Sequence, residues 1–79
     1  MAARRYFAEG LNVARECGRR DATALALYQL ARLEDDMSNY RNSRTYASEA
    51  LDLFRRLGMK HEQAEAEALL AKLESSQQD

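Results

Sequence analysis

The sequence predicts an all-α fold in which antiparallel helical hairpins stack as a short solenoid. Three observations lead there. The chain has no proline and three glycines, and it is rich in Ala, Leu, Glu and Arg, a helix-forming composition. Apolar residues recur at spacings of three and four through four segments separated by short turns. The chain also nearly repeats itself at a spacing of 40 residues. Twelve of its 39 residue pairs at that spacing are identical, among them Arg4/Arg44, Tyr6/Tyr46, Glu9/Glu49, Arg15/Arg55, Gly18/Gly58 and Glu34/Glu74. About 2 or 3 identities are expected by chance. A fixed period of this length marks a stacked helical repeat.

The first helix is expected over about Ala3–Cys17, with Ala3, Tyr6, Phe7, Gly10, Leu11, Ala14 and Cys17 in one apolar stripe. Gly18 supplies the left-handed stop, and Arg15, Arg19 and Arg20 complement the negative end of the helix dipole. The second helix starts near Asp21, a good N-cap, and runs through Ala24, Leu27, Leu30, Ala31 and Leu33 to about Met37. Leu25 broadens its apolar face, which suits a helix with a neighbour on each side. Ser38 and Asn39 make the next turn, and Asn39 can cap a third helix over Tyr40–Leu57. Its stripe is Tyr40, Ser43, Ala47, Ala50, Leu51, Phe54 and Leu57, and Gly58 ends it. The fourth helix is expected over about His61–Glu74, using Ala64, Ala68 and Ala71 with Leu69, Leu70 and Leu73. Met59 and His61 fall at the last loop. Residues 75–79 form a polar tail expected to fray. Short loops make successive helices antiparallel neighbours. The expected organisation is a single domain, with a helix pair over 3–37 and another over 38–74.

A chain of 79 residues has room for one small domain. Such a domain buries only about 60% of the surface its unfolded chain exposes. Its core supplies about 3–5 kcal/mol. One cysteine excludes an internal disulfide, and one histidine with one cysteine cannot build a four-ligand zinc site. The remaining support is oligomerisation or docking on a partner. Twelve basic and 13 acidic residues give a net charge of −1, so charge favours neither nucleic acid nor an anionic membrane. No apolar run reaches the roughly 20 residues that cross a bilayer, and Glu9, Gly10 and Asn12 interrupt any signal-peptide core. A reducing cytoplasm is the expected setting. There is no phosphate-cradling glycine loop, no paired-histidine spacing and no Ser or Cys with a recognisable base. The expectation is a binding protein without catalytic residues, metal or cofactor.

Leu30-Ala31, followed by Tyr40, Ser43, Ala47, Ala50 and Leu51, resembles the tetratricopeptide repeat. The segment Ala50-Leu51-Asp52-Leu53-Phe54-Arg55-Arg56-Leu57-Gly58 is similar to the longer variant of roughly 40 residues. The resemblance covers about Ala3 to Glu74. It implies a large and a small residue paired in a first helix (A), with small residues in a second (B) that let the two approach closely. The proline that often closes B is absent, and Gly58 takes the stop. Glu34 stands where an aromatic is common. Ala47 replaces a frequent aromatic, so either the helices approach more closely or Phe54 or Tyr46 fills the gap. The phase implied is B-A-B-A, one whole unit between two halves, with the helix before the first one missing. Arg4 and Arg5 sit unfavourably in a first turn, without an N-cap. These features imply a piece of a longer array, such as a fragment of a larger regulator, or a small protein that completes its stack with another copy.

The resemblance implies that A helices line a concave face that takes a peptide or helix of a protein partner. The partner-facing residues are then Leu25, Tyr28, Gln29, Arg32, Asp35 and Asp36 of the second helix, and Glu65, Ala68 and Lys72 of the fourth. Arg32 and Lys72 are equivalent in the repeat and form a short basic pair able to hold a carboxylate. The bland alternative makes them solvated charges pairing with Glu34 or Asp35. Asp35 and Asp36 put negative charge at the wrong end of a helix. They read either as an acidic patch for a basic partner or as charges compensated by Arg41 and Arg44. The basic groups Arg15/Arg19/Arg20 and Arg55/Arg56/Lys60 read as helix C-terminal complements. Tyr6 and Tyr46 read as half-buried packing, unless an exposed first helix turns Tyr6 and Phe7 into self-association anchors. Cys17, equivalent to Leu57, reads as a small core residue.

Overall fold

The computed structural model describes residues 2–77, with side chains placed for residues 3–75. The described residues form four helices, α1 (Ala2–Glu16), α2 (Arg20–Asp36), α3 (Tyr40–Leu57) and α4 (Lys60–Gln77), and no strand. The bounds of α3 are those expected. Helix α4 runs three residues beyond Glu74, so the first part of the polar tail is helical and His61 lies in the first turn rather than in the loop. Met1, Gln78 and Asp79 lie outside the described residues, and so does the end of the tail expected to fray.

All three turns are built alike. Gly18 N–H donates to the Arg15 carbonyl and Arg19 N–H to that of Ala14. Ser38 and Asn39 donate to Asp35 and Glu34, and Gly58 and Met59 to Arg55 and Phe54. This paired 5→2 and 6→1 pattern ties off the last carbonyls of each helix and needs one left-handed residue. Gly18 (φ 69°) and Gly58 (φ 72°) adopt it at no steric cost, whereas Ser38 (φ 63°) does so with a side chain.

The expected N-caps do not form. The cap position of α2 is Arg19, without a side-chain bond, and Asp21 lies inside the first turn. There its carboxylate accepts the Ala22 N–H, which with Arg19 nearby holds its pKa below the usual range. Asn39 does occupy the cap position of α3, yet its amide donates elsewhere, to Glu34 Oε2 at 2.9 Å.

The helices lie in a thin slab of 40 × 31 × 15 Å. Helix α2 packs on α1 and most extensively on α3, α4 packs on α3, and α4 meets α2 only lightly. Among the described residues no close backbone approach joins α1 to α3 or α4. The stack is therefore open, unlike a closed bundle in which first and last helices meet. Its seam is the α2–α3 contact, where Ala24, Ala31, Ala47 and Ala50 are fully buried. The Ser43 hydroxyl donates to the Ala31 carbonyl across it at 2.6 Å. Leu27, Leu30 and Phe54 fill the space beside these small residues. Ala47 is buried in a cluster with Ala31, Leu69 and Leu73, and Tyr46 and Tyr40 pack against it.

Candidate functional site

The outer helices bury less than their stripes suggest. Helix α1 buries Leu11 and Ala14 and half-buries Phe7. Tyr6 (72% exposed), Gly10, Val13 and Cys17 face outward. Tyr6 is therefore not packing and Cys17 is not core, because α1 has a neighbour on one side only. Helix α4 buries Ala66, Leu69 and Leu73, while Ala64 and Ala71, expected inside, are exposed for the same reason. Leu25, expected to widen a buried face, is 41% exposed.

Two surfaces result. The first is an open groove of 360 Å³ where α2 and α4 run side by side. It gathers seven of the expected contact residues, Tyr28, Arg32, Asp35, Asp36, Glu65, Ala68 and Lys72, over a floor that includes Leu69. Tyr28 is fixed by an edge-to-face contact with the buried Phe54, ring centroids 6.3 Å apart. Burial, and then the charge of Glu65, hold its hydroxyl pKa above the usual range, with Arg32 acting in the opposite sense. Gln29 sits apart with Arg32 and Asp36 in a smaller groove of 210 Å³ that reaches Phe7 on α1. Leu25 lines neither.

Of the two readings of Lys72, the bland one holds. Lys72 Nζ donates to Asp35 Oδ2 at 2.7 Å, bridging α4 to α2. This bond, with the charge of Asp35 behind it, raises the Lys72 pKa above the usual range. Arg32 is left exposed with no ion-pair partner among the described residues. Asp35 is compensated by Lys72, and its side chain is only 8% exposed.

Glu34 is the feature the sequence reading missed. It is not part of a surface acidic patch but fully buried. Its Oε2 accepts the Asn39 amide, and the Arg4 guanidinium forms an ion pair at Oε1, without hydrogen-bond geometry. Arg4 thus has a structural task on α1. Both residues recur at the 40-residue spacing as Arg44 and Glu74, which was the available signal. The basic edge is largely neutralised: Arg15 pairs with Glu49, Arg55 with Glu67, Arg56 with Asp52 and Arg19 with Asp21.

The second surface is an apolar groove of 510 Å³ on the outer side of α1, lined by Tyr6, Phe7, Gly10, Val13 and Cys17 together with Ala26 of α2. Tyr6 and Phe7 stand edge to face, centroids 5.4 Å apart. No group of three or more His, Cys, Asp or Glu able to hold a metal ion occurs among the described residues. No helix among them is long and apolar enough to cross a membrane. Compared with protein-family models, with curated proteins and with solved structures, the chain matches none of them.

Proposed function

We propose that this chain is a protein–protein interaction module that docks an extended peptide or a helix of a partner in the groove between α2 and α4. One observation carries the reading: Arg32, exposed and with no ion-pair partner among the described residues, stands in that groove beside the anchored Tyr28, while Lys72 and Asp35 are paired with each other. Lys72 and Asp35 hold the two helices together, so they fix the groove's width. Arg32 offers a bidentate donor to a carboxylate, and Tyr28 offers an aromatic face with a hydroxyl at its edge. Glu65 and Asp36 set the preference for a basic residue next along the ligand. The resemblance to tetratricopeptide repeats supports the same face. A cytoplasmic setting agrees with the exposed, unpaired thiol of Cys17.

The test is selection of peptides from a displayed random library, followed by titration of the winners. Peptides with a carboxylate beside an apolar residue are expected. Arg32→Glu should weaken them at least ~10-fold, equivalent to about 1.4 kcal/mol. Substitution at Gly10, on the opposite flank, should leave them unchanged. Winners indifferent to Arg32→Glu, or no winners at all, would refute the reading.

A further inference from the structure

The open flanks of α1 and α4 are two halves of one contact. In the 40-residue repeat α1 is equivalent to α3, and α4 to α2. Helix α3 buries Ser43, Ala47 and Ala50 completely, and its close approach to α2 runs through Ser43. The equivalent positions on α1 are Ala3, Phe7 and Gly10, and none is buried. Conversely, α2 buries Ala24, Leu30 and Ala31, whereas their equivalents Ala64 and Ala71 on α4 are exposed and Leu70 is only half-buried.

We propose that a second copy of this chain lays its α4 on the α1 flank, head to tail, so that the α2–α3 seam is repeated between molecules. The charges agree with this occupant. Within the chain Arg15 of α1 reaches Glu49 of α3 at 3.5 Å. Both residues are identical in the other repeat, as Arg55 and Glu9. Continuing the stack brings Glu9 of the next copy to Arg55, which pairs with Glu67 within the chain at 3.4 Å and can serve both carboxylates, extending the same row of ion pairs. Two substitutions limit the strength. The buried Leu27 and Phe54 of the internal seam are replaced by Glu67 and Ala14. The contact therefore loses its largest apolar pair, and association belongs near ~100 µM rather than nanomolar. Because the two faces differ, each contact leaves one of each kind open, and the assembly grows head to tail beyond a dimer.

Sedimentation of the 79-residue chain from about 10 µM to about 1 mM tests this. The weight-average mass should rise past that of a dimer without a plateau. Gly10→Gln blocks the α1 face only, since a side chain there meets nothing within 4 Å in the monomer. Val13→Lys is a second way to block it. Ala71→Arg blocks the α4 face only. Each variant alone should stay monomeric, with unchanged helicity by circular dichroism. Mixed in equal amounts, Gly10→Gln and Ala71→Arg should form a one-to-one pair and nothing larger. Reversing Glu9→Arg or Arg55→Glu should weaken self-association several-fold, and the two together should restore it. A wild type that stays monomeric at about 1 mM overturns the proposal. So does an Ala71→Arg variant that dimerises alone, which would mean α1 pairs with α1. A mixture that stays monomeric while the wild type associates overturns it equally.

Discussion

Ser38 is the one residue whose backbone departs from its chemistry. Three turns share one hydrogen-bond pattern, and two of them use glycine at the left-handed position. A side chain there brings Cβ toward the following carbonyl, a cost of roughly 1–2 kcal/mol per residue. Part of that cost is offset because glycine is also freer in the unfolded chain. Ser38→Gly should therefore stabilise the protein by about 0.5–1 kcal/mol, a rise of a few degrees in melting temperature. Gly58→Ser, the reverse change in an equivalent turn, should lower it by a similar amount. Melts of both variants at one dilute concentration decide this. An unchanged or lower melting temperature for Ser38→Gly would show that the serine side chain contributes something to the turn. The glycine stops were plain in the sequence because glycine names its conformation. Ser38 was legible only as turn-forming, since nothing about a serine announces a positive φ.

Between elements, the Arg4–Glu34–Asn39 cluster ties α1, α2 and the start of α3 together. It is asymmetric in burial: Glu34 is fully buried and the Arg4 side chain is 47% exposed. Removing the cation leaves a carboxylate in the interior with a single neutral donor. Removing the carboxylate leaves a guanidinium that can turn to water. Breaking a fully buried pair costs about 3–5 kcal/mol, and water at Arg4 reduces that figure. Arg4→Leu should cost about 2 kcal/mol, Glu34→Leu about 1 kcal/mol or less, and the double variant little more than Glu34→Leu alone. Urea denaturation of the four proteins supplies the cycle. Additive losses would show that the two charges are not coupled. The helices themselves were legible, because periodicity and glycine stops act locally. The cluster was not, because a glutamate at a helix C-terminus and an arginine at a helix N-terminus both look misplaced until the fold sets them face to face. Lys72 shows the limit from the other side: the sequence left a basic pair with Arg32 and a bond to Asp35 both open, and the packing of α4 on α2 selects Asp35, two helices away in the chain.

At the scale of the whole molecule, an open stack distributes stability unevenly. A closed bundle would give every helix two neighbours. Here α2 and α3 share the seam, while α1 leans on α2 alone and α4 mostly on α3. The largest fully buried apolar side chains, Phe54, Leu27 and Leu30, belong to the two central helices, with Leu73 alone from α4. Stacked units approximate a sum of unit stabilities and nearest-neighbour interfaces, so the ends can open before the middle. Hydrogen exchange on the dilute protein should find the slowest amides in α2 and α3, around Leu30 and Ala50. The amides of α1 from Phe7 to Leu11 should exchange at least ~10-fold faster, which corresponds to an opening about 1.4 kcal/mol less costly than global unfolding. Equal protection in all four helices would mean that the chain unfolds as one unit despite its open shape. The same measurement at high concentration separates two causes of fast exchange in α1. If the flank is merely bare, covering it with a second copy should slow the α1 amides and leave those of α2 and α3 unchanged, because only the end helices gain a neighbour. If α1 is intrinsically weak as a helix, with Gly10 at its centre and no acidic residue in its first turn, concentration will not slow it, and Gly10→Ala will.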